Sequence, residues 1–178
     1  MPEGGRLVLV VGPSGVGKDT LIEAAKNLRL SGVRIVKRDI TRSAELGGED
    51  YASISEADFA RRESAGRYAL SWRAHGLSYG IPGDILEDLA AGQTVVANVS
   101  RTVLMEARQR YRNLVVVSVT ASPETIRARL TARGRETDAE IEGRISRAAV
   151  FVVDGEDVIE LCNDGSRAEA VAAFVALL

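Results

Sequence analysis

Leu7-Val8-Leu9-Val10-Val11-Gly12-Pro13-Ser14-Gly15-Val16-Gly17-Lys18-Asp19-Thr20-Leu21-Ile22 is the stretch on which the fold turns. Its first five residues are apolar and largely β-branched, with no polar alternation. That is the pattern of a strand covered on both faces, as in the middle of a parallel sheet. From Gly17 to Leu28 the apolar residues Leu21, Ile22, Ala25 and Leu28 return at helical spacing. Between the two, Gly12 to Lys18 fits G-x-x-x-x-G-K, the Walker A pattern, and a preceding strand with a following helix is the context that gives that pattern meaning. Glycines let the backbone curl so that several N–H groups face one anion, and the helix N-terminus adds a favourable field. Lys18 is then placed to reach the β- and γ-phosphates of ATP. The residues expected on the nucleotide are Gly12, Pro13, Ser14, Gly15, Val16, Gly17, Lys18, Asp19 and Thr20.

Further along the chain, short β-branched runs alternate with helical patterns. Strands are predicted at Val33–Val36, Thr94–Val99, Leu114–Val119 and Asp157–Leu161. Helices are predicted at Pro82–Ala91, Arg101–Tyr111, Pro123–Ala132, Asp138–Val150 and Ser166–Leu177. Ser122 before Pro123 is a good N-cap followed by a good first helical residue. This alternation implies a single α/β domain: a five-stranded parallel sheet flanked by helices. Thr41 to Tyr79 breaks the rhythm and holds Trp72, His75 and most of the tyrosines. It reads as a small insertion (about 40–80 in the chain) over the carboxyl ends of the strands, where open α/β sheets bind ligands.

The bulk properties narrow the class. A chain of 178 residues can bury a proper core, and 46% hydrophobic with 27% charged residues is ordinary for a globular protein. No apolar run nears the roughly 20 residues of a membrane span. Met1 to Arg6 lacks the order of a signal peptide, so a cytoplasmic protein is expected. One cysteine, Cys162, and one histidine, His75, make a zinc site improbable. A formal charge of −2 argues against non-specific nucleic-acid binding, and a small-molecule substrate is expected. Oligomeric state is not legible.

One residue of the loop departs from its usual pattern. Walker A loops place Ser or Thr after the lysine, and the hydroxyl binds Mg²⁺; here Asp19 stands there, with Thr20 next. A carboxylate is a harder, charged ligand for Mg²⁺, which makes Asp19 the candidate metal residue. The same side chain also suits the first turn of a helix without any metal. Both readings stay open at this point.

Beyond the loop the chain resembles guanylate kinases and their relatives, P-loop NTPases with an acceptor-binding insertion and a lid. The resemblance is carried by Gly12–Lys18, Ile40-Thr41-Arg42, Gly48-Glu49-Asp50-Tyr51, Tyr79-Gly80, Arg129–Thr137, Arg144 and Asn163-Asp164. It implies that Arg42 and Tyr51 hold the acceptor phosphate. Arg133 and Arg144 would belong to a lid (about 133–147) that closes over ATP and clamps the transition state, and Asn163 would lie by the adenine. Spacing alone leaves alternatives: Arg133, Arg135, Arg144 and Arg147 also fit the solvated face of a helix pair, Tyr51 a core-edge aromatic, and Asn163 a turn residue.

Departures from guanylate kinases gather on the acceptor base. Leu70 stands where a guanine-pairing Glu is expected, Ile81 where a hydroxyl is expected, and Ser78 replaces a tyrosine. Glu45 lies in a shortened segment that lacks a second Pro-Arg, and Asn98 replaces the acid at the end of the third strand. A buried guanine without its acceptor would leave donors unsatisfied, at about 1–3 kcal/mol each. Asp19 is expected to supply the charge missing at Asn98. Together with Gly12–Asp19, Asp39–Arg42, Leu70–Gly80, Asn98–Arg101, Arg133–Glu136 and Asn163–Ser166, these features resemble the ribose 1,5-bisphosphate phosphokinases. That resemblance implies transfer of the ATP γ-phosphoryl group, with Mg²⁺, to ribose 1,5-bisphosphate, giving 5-phosphoribosyl 1-diphosphate in phosphonate breakdown. The substrate side would then be Arg42, Tyr51, His75, Tyr79 and Asn98, with Trp72 divided between sugar pocket and core packing. A nucleoside-monophosphate kinase with an altered base pocket and an inactive binding module of the same fold are the alternatives.

Overall fold

β-branched runs without polar alternation need cover on both sides, and the chain supplies it with helices. The computed structural model describes residues 4–43 and 50–178, so Glu45, Gly48 and Glu49 lie outside the described residues. The first half runs β1 (Arg6–Val11), α1 (Lys18–Asn27), β2 (Val33–Ile35), β3 (Asp39–Ile40), β4 (Ala52–Ser53) and α2 (Glu56–Ser64). Next come β5 (Tyr68–Ala74), β6 (Leu77–Pro82), α3 (Ile85–Ala90) and β7 (Thr94–Asn98). A 3-10 turn at Arg101–Val103 leads into α4 (Leu104–Arg110), followed by β8 (Leu114–Thr120) and α5 (Pro123–Arg133). The chain closes with α6 (Asp138–Ala149), β9 (Val158–Cys162) and α7 (Arg167–Val175).

The main sheet has five parallel strands in the order β2-β7-β1-β8-β9, as the sequence implied. Strand alternation divides the core between its faces. Leu7, Leu9 and Val11 pack with Val95, Ala97, Ile85 and Leu104, while Val8 and Val10 pack with Val96, Leu21, Ile126, Leu130 and Phe174. Each such fully buried aliphatic side chain contributes about 1.5–3 kcal/mol against exposure, which makes this two-sided core the main support of the fold. Ser122 caps α5 by accepting from the Thr125 N–H, and Thr137 and Ser166 each form a capping box, with Glu140 and Glu169.

The irregular region between β2 and β7 forms a sheet of its own, ordered β4-β3-β6-β5. Its β5–β6 hairpin closes through His75 and Gly76, both at positive φ (53° and 73°), the twist that a two-residue hairpin turn demands. Alternation on β3 turns the buried Asp39 toward Arg62 Nη1 (2.6 Å) and the Tyr68 hydroxyl (2.8 Å). The two neighbours of Asp39, Arg38 and Ile40, therefore face the other way. Two helix starts differ from expectation. Pro82 ends β6 instead of opening α3, and Ser100 caps a 3-10 turn before α4 begins. Among the described residues no helix is long and apolar enough to cross a membrane.

Candidate active site

The loop after β1 curls because two of its glycines sit where no side chain fits. Gly12 has φ 154° and a Cβ there would lie 2.5 Å from the Val119 carbonyl oxygen; Gly17 has φ 93° and a Cβ there would lie 2.5 Å from Asn163 Nδ2. Val16 between them is fully buried and pins the loop to the core. Lys18 Nζ turns back into the loop mouth, donating to the Gly12 (2.7 Å) and Pro13 (2.9 Å) carbonyls. An ammonium held by two carbonyls at the mouth of an N–H cradle is already close to where nucleotide phosphates would lie.

Contacts from distant parts of the chain hold this loop. Asn163 Nδ2 donates to the Val16 carbonyl at 2.7 Å, and the residue lines the cleft. Arg129 donates to the same carbonyl (3.2 Å) and to that of Asn163 (2.7 Å). Beside them the Asp164 carboxylate accepts from the Ser122 backbone N–H at 2.7 Å. That bond, with the Thr125 hydroxyl second, holds the Asp164 carboxyl down to about 2.

Two of the departures, Asp19 and Asn98, touch. Register pairs Val10 of β1 with Asn98 of β7, so Asn98 reaches the loop, and its Nδ2 donates to Asp19 Oδ1 at 3.0 Å. Among the described residues no cluster of three or more His, Cys, Asp or Glu could cage a cation. Mg²⁺ normally takes one or two carboxylates and completes its shell with phosphate oxygens and water. Asp19 with the neighbouring Thr20 hydroxyl, both on the cleft wall, fits that sparse demand.

Arg133 and Arg144 come together on one acid. Glu136, with its side chain only 7% exposed, pairs with Arg133 and lies 3.3 Å from Arg144 Nη2. Arg144 also donates to the Ser14 hydroxyl, tying α6 to the phosphate loop. Arg147 lines the cleft as well; Arg135 is not among its lining residues.

All of this opens on one cleft of about 1050 Å³, which also takes in Trp72, His75, Tyr79, Asn98 and Arg101. Trp72 is 7% exposed within the core and stacks on Tyr79 (centroids 5.3 Å, planes 3° apart) at the cleft wall. Arg42 and Tyr51 do not join the lining. They meet each other, guanidinium over ring at 5.5 Å, and the Tyr51 hydroxyl donates to the Ser43 carbonyl at 2.5 Å. Leu70 and Ile81, at the guanine-reading positions, are buried in the core at 1% and 0% exposure. Four lining cations were given no role by the sequence: Arg38, Arg101, Arg129 and Arg167. Arg129 was discoverable, since it precedes Arg133 by one helical turn on α5. Arg38 carried only the hint of a charge just before a strand.

Charge on the lining is lopsided. Lys18, Arg38, Arg101, Arg129, Arg133, Arg144, Arg147 and Arg167 face a single carboxylate, Asp19, among the described residues. Such a cleft suits polyphosphate ligands at both of its ends.

Comparison with known proteins agrees with this geometry. A family profile described as an AAA domain matches residues 8–149. The chain is 48% identical to ribose 1,5-bisphosphate phosphokinase PhnN of Pseudomonas paraeruginosa, covering 98% of this chain and 95% of that protein. The protein of the same name from Azotobacter vinelandii is 46% identical, over 98% of this chain and 96% of that one. Its namesake from Brucella melitensis biotype 2 is 44% identical, over 96% and 90%. Among solved structures, guanylate kinase from Anaplasma phagocytophilum superposes with a TM-score of 0.67 at 19% identity, covering 99% of this chain and 85% of that one. A gluconokinase from Sinorhizobium meliloti 1021 gives 0.52 at 19% identity, over 99% and 92%. At that identity the two structures speak to the fold alone, while the sequence relatives share nearly half their residues with this chain along almost its whole length. The chain therefore belongs to the ribose 1,5-bisphosphate phosphokinase family, built on a guanylate kinase-like P-loop fold.

Proposed function

We propose that the chain transfers the γ-phosphoryl group of ATP to the 1-phosphate of ribose 1,5-bisphosphate, yielding 5-phosphoribosyl 1-diphosphate and ADP. A bond forms between an acceptor phosphate oxygen and the γ-phosphorus, and the bond from that phosphorus to the β,γ-bridging oxygen breaks. The observation that carries this reading is the cationic cleft with the phosphate loop in it, while Leu70 and Ile81, at the positions expected to read a guanine, are buried core residues. The names of the close sequence relatives point the same way.

The residues suit the chemistry. A phosphate oxygen is already nucleophilic, so no strong general base is needed, and catalysis reduces to positioning and charge neutralisation. Lys18 would exchange its loop carbonyls for the β- and γ-phosphate oxygens. Arg144, next to Ser14 of the loop, and Arg133 would bring their planar forks onto the transferring group. Mg²⁺, held by Asp19 and the phosphates, would neutralise the charge that develops on the leaving ADP. His75, Tyr79 and Asn98 would form the acceptor wall.

The test is ADP release by purified protein with Mg²⁺-ATP and either ribose 1,5-bisphosphate or GMP. Turnover with the sugar bisphosphate is expected. Turnover with GMP alone overturns the reading in favour of a nucleoside-monophosphate kinase, and turnover with neither favours a binding module.

A further inference from the structure

The acceptor carries phosphate at both ends, so its pocket needs cations of its own beyond those serving ATP. Arg42 and Tyr51, the expected phosphate pair, pack on each other away from the cleft lining. Arg38 is on that lining and is set in place with unusual firmness. It is 7% exposed, its Nη1 donates to the Asn98 carbonyl at 3.0 Å, and its guanidinium carbon lies 5.8 Å from the Trp72 ring centre and 5.4 Å from that of Tyr79. The strand dictates this direction: Asp39 turns to the far side for Arg62 and Tyr68, so Arg38 must turn inward. Trp72 and Tyr79 face each other across the β5–β6 ladder and present a flat aromatic wall beside the guanidinium. Asn98, whose carbonyl orients Arg38, gives its side-chain amide to Asp19. The guanidinium is thus fixed one residue away from the metal end of the phosphate loop.

We infer that Arg38 is a specificity-determining residue of the acceptor site, its guanidinium fork gripping a phosphate of the sugar. This deepens the proposed function and rests on it for the identity of the sugar. The aromatic wall and the Asn98 carbonyl remove the rotational freedom that a surface arginine keeps, so less ordering is required when a phosphate arrives. A lysine in the same position would keep the charge but lose the planar two-point grip.

Trp72 is the only tryptophan in the chain, and it lies within reach of the Arg38 guanidinium, so its emission reports directly on this subsite. Wild-type protein, Arg38→Gln and Arg38→Lys are titrated with ribose 1,5-bisphosphate and with GMP while Trp72 fluorescence is followed. ATP affinity and melting temperature are measured on the same samples. Loss of a charge-assisted pair to phosphate should weaken sugar bisphosphate binding by about 10- to 100-fold in Arg38→Gln. Arg38→Lys should fall in between, with ATP affinity retained in both and the loss in turnover appearing as a raised acceptor KM. Unchanged acceptor affinity in Arg38→Gln overturns the inference. So does an equal loss of ATP affinity in both variants, which would mark Arg38 as structural. If the wild type binds GMP and not the sugar bisphosphate, the proposed function falls and the same variants decide the role of Arg38 with GMP. If the wild type binds neither, both fall.

Discussion

Asp19 and Asn98 are each odd alone and make sense as a pair. A carboxylate after the loop lysine adds negative charge beside the phosphates, and an amide at the end of β7 removes it; the two meet at 3.0 Å. The expected consequence is that one anionic oxygen serves the metal end, moved from strand to loop. Asp19→Ser should therefore lower kcat/KM and raise the Mg²⁺ concentration needed for half-maximal rate. Asn98→Asp alone would set two carboxylates against each other and should also impair activity. Together the two changes restore a single acid and should recover part of the loss. For residues in contact, coupling of about 0.5–3 kcal/mol is the usual range, and Mg²⁺ titrations of the four proteins in the cycle would measure it. Strictly additive effects would show that the contact has no bearing on the metal.

At the scale of elements, the turn between α5 and α6 is organised by Glu136 as much as by Arg133 and Arg144. Gly134 stops α5 in the left-handed conformation and Thr137 opens α6 with a capping box, so the short turn between them holds Glu136 in one place. From there its carboxylate engages Arg133 and Arg144 together. Glu136→Gln keeps the shape and removes the charge that aligns both forks. Because misplacement of a clamping group by about 1 Å can cost roughly 100-fold in rate, kcat should drop by about 10- to 100-fold. ATP affinity should change far less, a split that steady-state kinetics beside equilibrium binding would read. What was legible in the sequence follows the same scale. The central strands β7, β1 and β8 could be read because they are largely apolar on both faces, the edge strands β2 and β9 from short β-branched runs, and the phosphate loop because its parts are contiguous. The second sheet could not: β3 and β4 have two residues each, and β5 mixes faces across an irregularity between Tyr68 and Leu70. Helix α2 buries only Phe59, too little periodicity to announce itself. Arg38 and Glu136 gain their meaning from partners brought close by folding, which local pattern does not encode.

The whole molecule is organised around the cleft, with the main sheet and α5–α6 on one side and the second sheet on the other. Beside it, Asp164 links the turn after β9 to the turn after β8. The folded carboxyl sits at about 2, below its ordinary 3.8, chiefly through the Ser122 N–H bond. A depressed acid stabilises the fold above its unfolded pKa and loses that contribution as pH falls through the folded value. Acid unfolding between roughly pH 4 and 2 should therefore be less steep in Asp164→Asn, as circular dichroism would record. The cleft also couples ligand to global stability, because the phosphate loop is anchored to both core layers through β1 and Val16. A ligand that binds only the folded state, at about 100 times its Kd, adds about 2.7 kcal/mol. For a chain of this size that corresponds to a rise in melting temperature of roughly 5–10 °C. Mg²⁺-ATP should produce such a rise in the wild type. In Lys18→Ala the ligand-free melting temperature should stay within about 2 °C of wild type, since the side chain contributes little to the core. The ATP-induced rise should shrink sharply, and kcat should fall by at least about 100-fold, as expected for removal of one donor from a preorganised charge-stabilising site. A full ATP-induced rise in Lys18→Ala, measured by differential scanning calorimetry, would mean that the nucleotide is held by contacts other than those of the loop lysine.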